Sequence, residues 1–150
     1  MTEFKPFESE LAGLLAALSP AGRRRLTVDI AKKLRQRQQQ RIRTQKAPDG
    51  SPYAKRKPQP LRAKKGRIKR EMFAKLRTNR YMKASGDDSA AVVEFTGKVQ
   101  RIARVHQLGL KDRPARNREP VQYSARPLLG FSSDDTQFIE SLVIDHLTDL

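Results

Sequence analysis

The sequence predicts an α+β protein: N-terminal helices and a basic arm, a small antiparallel sheet packed by helices, and a C-terminal amphipathic helix. Three observations predict it. Apolar residues recur at helical spacing up to about residue 45 and again after residue 133. Residues 90–96 alternate, with β-branched and aromatic side chains, as a strand does. Between these regions lies a Pro-rich, Lys/Arg-rich stretch that follows neither period.

Glu8 to Leu18 reads as a short helix, with Leu11, Leu14, Leu15 and Leu18 on one stripe. Ser19-Pro20 then supplies an N-cap and a proline at the first helical position. A long helix runs from there to about Gln45, on a stripe of Leu26, Ile30, Leu34 and Ile42 flanked by Val28 and Ala31. Gln38 interrupts that stripe, and residues 35–41 (RQRQQQR) are polar all round. This part of the helix is expected to project into solvent, a partner or nucleic acid. Ala47-Pro48-Asp49-Gly50 ends the helix, because proline restricts its predecessor and Asp-Gly favours a turn.

Residues 51–70 hold three prolines, one glycine and nine basic residues, so no regular core element fits. They are expected to form an extended arm that orders when bound, and trimming Pro52 to Gly66 is expected to leave the fold intact. Lys69 to Thr78 reads as a short helix with Met72, Phe73 and Leu76 inward.

In Ala90 to Thr96, Ala91, Val93 and Phe95 alternate with Val92, Glu94 and Thr96, a strand that Tyr81-Met82-Lys83 can pair with across Ser85-Gly86-Asp87-Asp88. Val99, Ile102, Ala103 and His106 then mark a short helix stopped by Gly109. Asp112 to Glu119 is a polar loop, and Val121-Gln122-Tyr123 a short strand. Asp134 to Leu150 forms the final helix, with Phe138, Ile139, Leu142, Val143 and Leu147 inward and Asp134 and Asp135 complementing its dipole. The expected organisation is a single domain over 1–150: helices in 1–46, the arm in 47–70 and an α+β core in 71–150.

Charge separates along the chain. The formal net charge is +16, yet residues 22–80 hold 22 Lys or Arg against Asp29, Asp49 and Glu71. From Leu128 to Leu150 there is no Lys or Arg, and there are five acids. Such polarity suits either a nucleic-acid surface, where neutralised phosphates release counterions, or head-to-tail association of copies through opposite ends. Without Cys there is no thiolate nucleophile or Cys-based zinc site, and two His are little material for a metal centre. No cofactor is expected. No apolar run approaches a membrane span, and MTEFKPFESE is no secretory signal, so a soluble intracellular binder is expected, with no membrane partner.

No nucleophile elbow, Walker loop, zinc-helix motif or dinucleotide loop is present, so an enzyme is not expected. His106 lies on the apolar stripe of its short helix and His146 in the helix near the chain end, and both read as hydrogen-bonded packing histidines rather than catalytic bases. Tyr53 and Phe73 are too few for a base-stacking platform, so any nucleic-acid contact would be with phosphates.

Five segments, RIRTQKAPDGSPYAKRK (41–57), KREMFAKLR (69–77), VEFTG (93–97), RIARVHQLGL (101–110) and ARPLLGFSSDD (125–135), resemble in order and spacing the virion morphogenesis, or tail completion, proteins of contractile-tailed bacteriophages. The resemblance covers nearly the whole chain. It implies a structural protein without enzymatic activity, assembled in the host cytoplasm and located in the virion tail or neck. It implies a ring, commonly of six copies, at the head-proximal end of the tail tube, which enables head–tail joining. The partners implied are further copies, tail tube and sheath proteins, and neck or head-completion proteins.

On that reading His106 and Gly109 close the helix after the strand, and Arg126, Pro127, Leu128 and Leu129 lead into the helix begun by Asp134 and Asp135. All are interface candidates, with Arg126 expected to be free to pair with carboxylates. Reversing its charge is expected to impair assembly more than folding. The arm residues Lys55, Arg56, Lys57, Arg62, Lys64, Lys65, Arg67, Lys69 and Arg70 would line the lumen, touch DNA non-specifically or clamp a neighbour. The competing reading is a sequence-independent nucleic-acid-binding accessory protein acting through residues 22–80.

Overall fold

Helix α1 (Pro20–Arg43) begins where the sequence places it: the Ser19 hydroxyl accepts the Gly22 N–H at 3.0 Å, as an N-cap should. In this computed structural model, which describes residue 13, residues 16–56 and residues 71–148, α1 is followed by β1 (Met82–Gly86), β2 (Ala91–Phe95), α2 (Gln100–Leu108), β3 (Lys111–Asp112), β4 (Val121–Gln122) and α3 (Ser133–Thr148). Two two-stranded sheets, β1-β2 and β3-β4, accompany the helices, so the α+β expectation holds. Most of the helix expected over Glu8 to Leu18 lies outside the described residues.

The chain divides into two compact units, each drawing on distant stretches of sequence. The first comprises the described residues of Met1–Arg37, Met82–Glu94 and Phe131–Leu150. Its core joins Leu18, Leu26, Ile30 and Leu34 to Ile139, Leu142 and Val143, with Ala91, Val93, Phe131, Phe138 and Leu147 packed against them. Both predicted stripes therefore face inward as read. Full burial of each such aliphatic side chain contributes about 1.5–3 kcal/mol.

The hairpin forms with a shift. β1 extends to Gly86, and the turn falls on residues 87–90, where the Asp87 carboxylate accepts the Ser89 and Ala90 N–H groups at 2.7 and 2.8 Å. Gly86 is thus not a turn residue. It lies so close to α1 that a Cβ would stand 2.6 Å from the Val28 nitrogen. The hairpin is tied to α1 where the Thr27 hydroxyl and Arg23 Nε donate to the Asp87 and Asp88 carbonyls.

The second unit comprises the described residues of Gln38–Tyr81 and Phe95–Gly130. In it α1 ends two residues before Gln45, which takes a left-handed conformation (φ 61°) and donates through its side chain to the Ile42 and Met72 carbonyls. No helix forms over the described part of Lys69 to Thr78; residues 72–77 are successive turns, and Phe73 has φ 68°. That conformation is incompatible with a continuous right-handed helix and costs a side-chain-bearing residue about 1 kcal/mol or more. Helix α2 ends on Gly109 in the left-handed region (φ 67°) as expected, but Ile102 is 49% exposed while Val105 is buried, a rotation of the apolar stripe. β3 and β4 pair antiparallel, Lys111 opposite Gln122 and Asp112 opposite Val121.

Candidate functional site

The stretch 126–130 carries half of the sequence-predicted interface residues, and in the second unit it is an extended strap held from several sides. The Arg126 N–H donates to the His106 carbonyl at 2.7 Å. Gln107 Oε1 accepts the Leu128 and Leu129 N–H groups at 2.8 and 2.9 Å, and its Nε2 donates to the Leu129 carbonyl at 2.8 Å. The Tyr53 hydroxyl donates to the Pro127 carbonyl at 2.8 Å, and Arg41 Nη2 to the Leu128 carbonyl.

Gln38 completes the strap. Its Nε2 donates to the Gly130 carbonyl at 2.9 Å, and its Oε1 accepts the Gly130 N–H at 3.2 Å. It is 2% exposed, so the expectation that residues 35–41 project into solvent fails there. The physical reason is a primary amide that pairs with both the N–H and the C=O of one residue, which lets a polar side chain be buried without an orphaned group.

Arg126 is also buried, at 7% exposure, and is not free for carboxylates. Its Nε and Nη2 donate to the Ala54 and Lys55 carbonyls at 2.8 and 3.1 Å. Burial, then the neighbouring charge of Arg56, lowers its pKa from the usual arginine value. Leu128 is completely buried, and Pro127 and Leu129 are half-buried. The start of the expected arm is correspondingly packed: Ala47 and Tyr53 are buried, and burial pushes the Tyr53 hydroxyl pKa up to about 12. Lys55 and Arg56 are exposed, whereas Lys57, Arg62, Lys64, Lys65, Arg67, Lys69 and Arg70 lie outside the described residues.

His106 belongs to an aromatic row. Ring centroids lie 5.6 Å apart for Tyr53–Phe73, 5.0 Å for Phe73–His106 and 5.0 Å for His106–Tyr123, all edge to face. His106 packs as expected, but the hydrogen bond expected of it is not seen at its buried Nδ1, which has no partner among the described residues. Burial, then the charge of Arg126, lowers its pKa. Phe73, Tyr123, Leu76 and Ile102 also line a groove of about 780 Å³. Exposed Lys75 and Arg118 border the same space.

In the first unit the two leading acids of α3 differ. Asp134 is exposed, but Asp135 is 3% exposed. One Asp135 oxygen accepts Arg37 Nε at 2.7 Å, and the other accepts the Ser132 N–H at 3.0 Å. The Asp135 N–H donates to the Ser132 hydroxyl at 3.0 Å, which completes a reciprocal capping box. Burial alone would raise the Asp135 pKa; the Ser132 hydrogen bonds and Arg37 outweigh it and hold the carboxyl below the usual range. At the other end of α3, His146 Nε2 lies 3.0 Å from the Asp29 carboxylate.

Among the described residues no group of three His, Asp or Glu side chains could hold a metal ion, and no helix is long and apolar enough to cross a membrane. Residues 2–148 match the model of the phage virion morphogenesis family, and the chain belongs to that family. It is 51% identical over 148 residues to tail completion protein S of Escherichia phage P2, an alignment covering 98% of this chain and 99% of that protein. No solved structure matches it.

Proposed function

We propose that the protein completes the phage tail as a structural, non-enzymatic component, forming a ring at the head-proximal end of the tail tube that enables head–tail joining. The observation that carries this reading is the 51% identity, along almost all of both chains, to a protein named for tail completion. Its place is then the tail or neck of the virion, after assembly in the host cytoplasm. Its partners are further copies, six in a closed ring, together with tube or sheath and neck or head-completion proteins. The contrast between the basic stretch 22–80 and the acidic stretch after Leu128 supports a heterologous contact between copies. On this reading the basic arm touches DNA non-specifically in the lumen.

The test is an extract of infected cells lacking this protein. Unjoined heads and tails should accumulate, and adding the purified protein should restore infectious particles. Restoration by buffer alone would end the proposal.

The net charge of +19 over residues 22–80 favours a second reading, sequence-independent nucleic-acid binding. Light scattering on nuclease-treated protein separates the two. Mass at a multiple of 17.1 kDa without nucleic acid supports the ring. Mass gained only on adding DNA, with log affinity falling by about 0.9 per phosphate contacted as log salt rises, supports the binder.

A further inference from the structure

Helix α3 exposes a face of unusual make-up. Glu140, Ser141, Ile144 and Asp145 are all exposed, at the three- and four-residue spacings that place side chains on one side of a helix. Ile144 is 51% exposed between two carboxylates, and α3 contains no Lys or Arg to offset them.

The second unit carries the complement. Its groove has Ile102 (49% exposed), Leu76 and Phe73 as apolar lining, and exposed Lys75 and Arg118 beside them. Among the described residues lining it Glu71 is the one acid, and Arg77 Nη2 lies 3.4 Å from that carboxylate. We infer that this groove receives the exposed α3 face of a second copy, with Ile144 against Ile102 and Leu76, and Glu140 and Asp145 facing Lys75 and Arg118. The inference rests on the proposed self-assembly and names its contact surfaces.

Two arguments select a second copy as the occupant. Groove and helix face are opposite in charge, and each sets an exposed isoleucine among its charges, so desolvating the apolar centre leaves ion pairs at the margin. Both surfaces belong to one chain, which is the requirement for a heterologous contact that repeats from copy to copy. A single-stranded nucleic acid would instead need open ring faces, whereas Phe73, His106 and Tyr123 are engaged edge to face with one another.

The absence of Cys makes the test direct. Full-length Ile102→Cys is mixed under oxidising conditions with Ile144→Cys and, separately, with Arg25→Cys, which is exposed on α1. The Ile102–Ile144 pair should form mixed disulfide at least tenfold faster than the control pair; equal rates overturn the inference.

Charge reversal provides a second readout on the full chain. Glu140→Lys with Asp145→Lys on one copy, or Lys75→Glu with Arg118→Glu on the other, should slow the disulfide, and combining the two sets should restore it. Failure to restore also overturns the inference. So does loss of duplex-DNA binding in Lys75→Glu/Arg118→Glu while the disulfide stays at the control rate, which would assign the groove to nucleic acid. If wild-type protein completes tails and the Ile102→Cys/Ile144→Cys pair shows no preferred disulfide, this interface alone falls. Wild-type protein that does not complete tails sinks the tail reading, whatever the disulfide shows.

Discussion

Arg37 Nε and Asp135 Oδ1 meet at 2.7 Å across 98 residues of sequence, and the same carboxylate closes the capping box of α3. One buried side chain thus fixes both the start of a helix and its seat on α1 within the first unit. The Arg37 guanidinium also lies 4.6 Å over the Phe138 ring, adding a cation–π contact to the pair.

Asp135→Asn should therefore cost about 2–3 kcal/mol, because it leaves Arg37 without its counter-charge and weakens the cap. Asp134→Asn, on the exposed neighbour, should stay within about 0.5 kcal/mol. Urea unfolding of the two variants checks the contrast. The Asp135 contribution is present above pH 3.8, the ordinary value, and is lost as pH falls from there through the depressed folded value.

Gln38→Leu would extend the apolar stripe of α1 and, by pattern alone, should be harmless. The structure says the opposite. The Gly130 N–H would lose its bond to Gln38, its carbonyl would lose the 2.9 Å bond and keep the longer 3.4 Å one from Arg41 Nη1, and Arg41 Nη2 would lose a 2.8 Å bond to Gln38 Oε1. A loss of about 2–3 kcal/mol is expected, measurable as a fall in Tm of roughly 4–12 °C.

Arg126→Glu should unfold the second unit rather than leave a folded, assembly-defective protein. The new carboxylate would face the Ala54 and Lys55 carbonyls that now accept hydrogen bonds from Arg126, at a cost of more than about 3 kcal/mol. Circular dichroism of the purified variant distinguishes the outcomes: a native-like spectrum and melting curve would refute the structural role.

His106 predicts an acid-sensitive core. Its folded pKa lies below the ordinary 6.5, so below that pH the unfolded chain binds a proton that the native state resists. Stability should fall as pH drops below 6.5, and no such loss is expected from this group above it. His106→Phe, which keeps the edge-to-face row, should flatten that part of the pH–stability curve.

Gly109→Ala should destabilise by about 1–2 kcal/mol or more, since φ is 67° and a Cβ would stand 2.7 Å from the Ala125 nitrogen. Thermal melts settle it.

The parts legible in sequence were those with local signatures. Ser19-Pro20 announced a helix start, Gly109 a helix stop, and the Leu26/Ile30/Leu34 and Ile139/Leu142/Val143 stripes announced their inward faces. The misread parts depend on partners far along the chain. Gln38 is buried because Gly130 lies 92 residues later, and Tyr53 because Pro127 lies 74 residues later. Met72, Phe73 and Leu76 have helical spacing, but the left-handed Phe73 belongs to a turn that Gln45 fastens from outside, accepting the Met72 N–H and donating to its carbonyl. Arg126 reads in sequence as a mobile cation, and only the carbonyls of Ala54 and Lys55 make it a core residue.

The interleaving of the two units sets an order of events during synthesis. The second unit has all its segments once Gly130 has left the ribosome, while the first still lacks Phe131 onward. Until α3 is made, Leu26, Ile30 and Leu34 have no Ile139, Leu142 or Val143 to cover them. The growing chain therefore passes through a stage with one unit able to close and a bare leucine stripe on the other, which is the stage most open to chaperone capture or aggregation. The protein matures in two instalments, and α3 supplies the second.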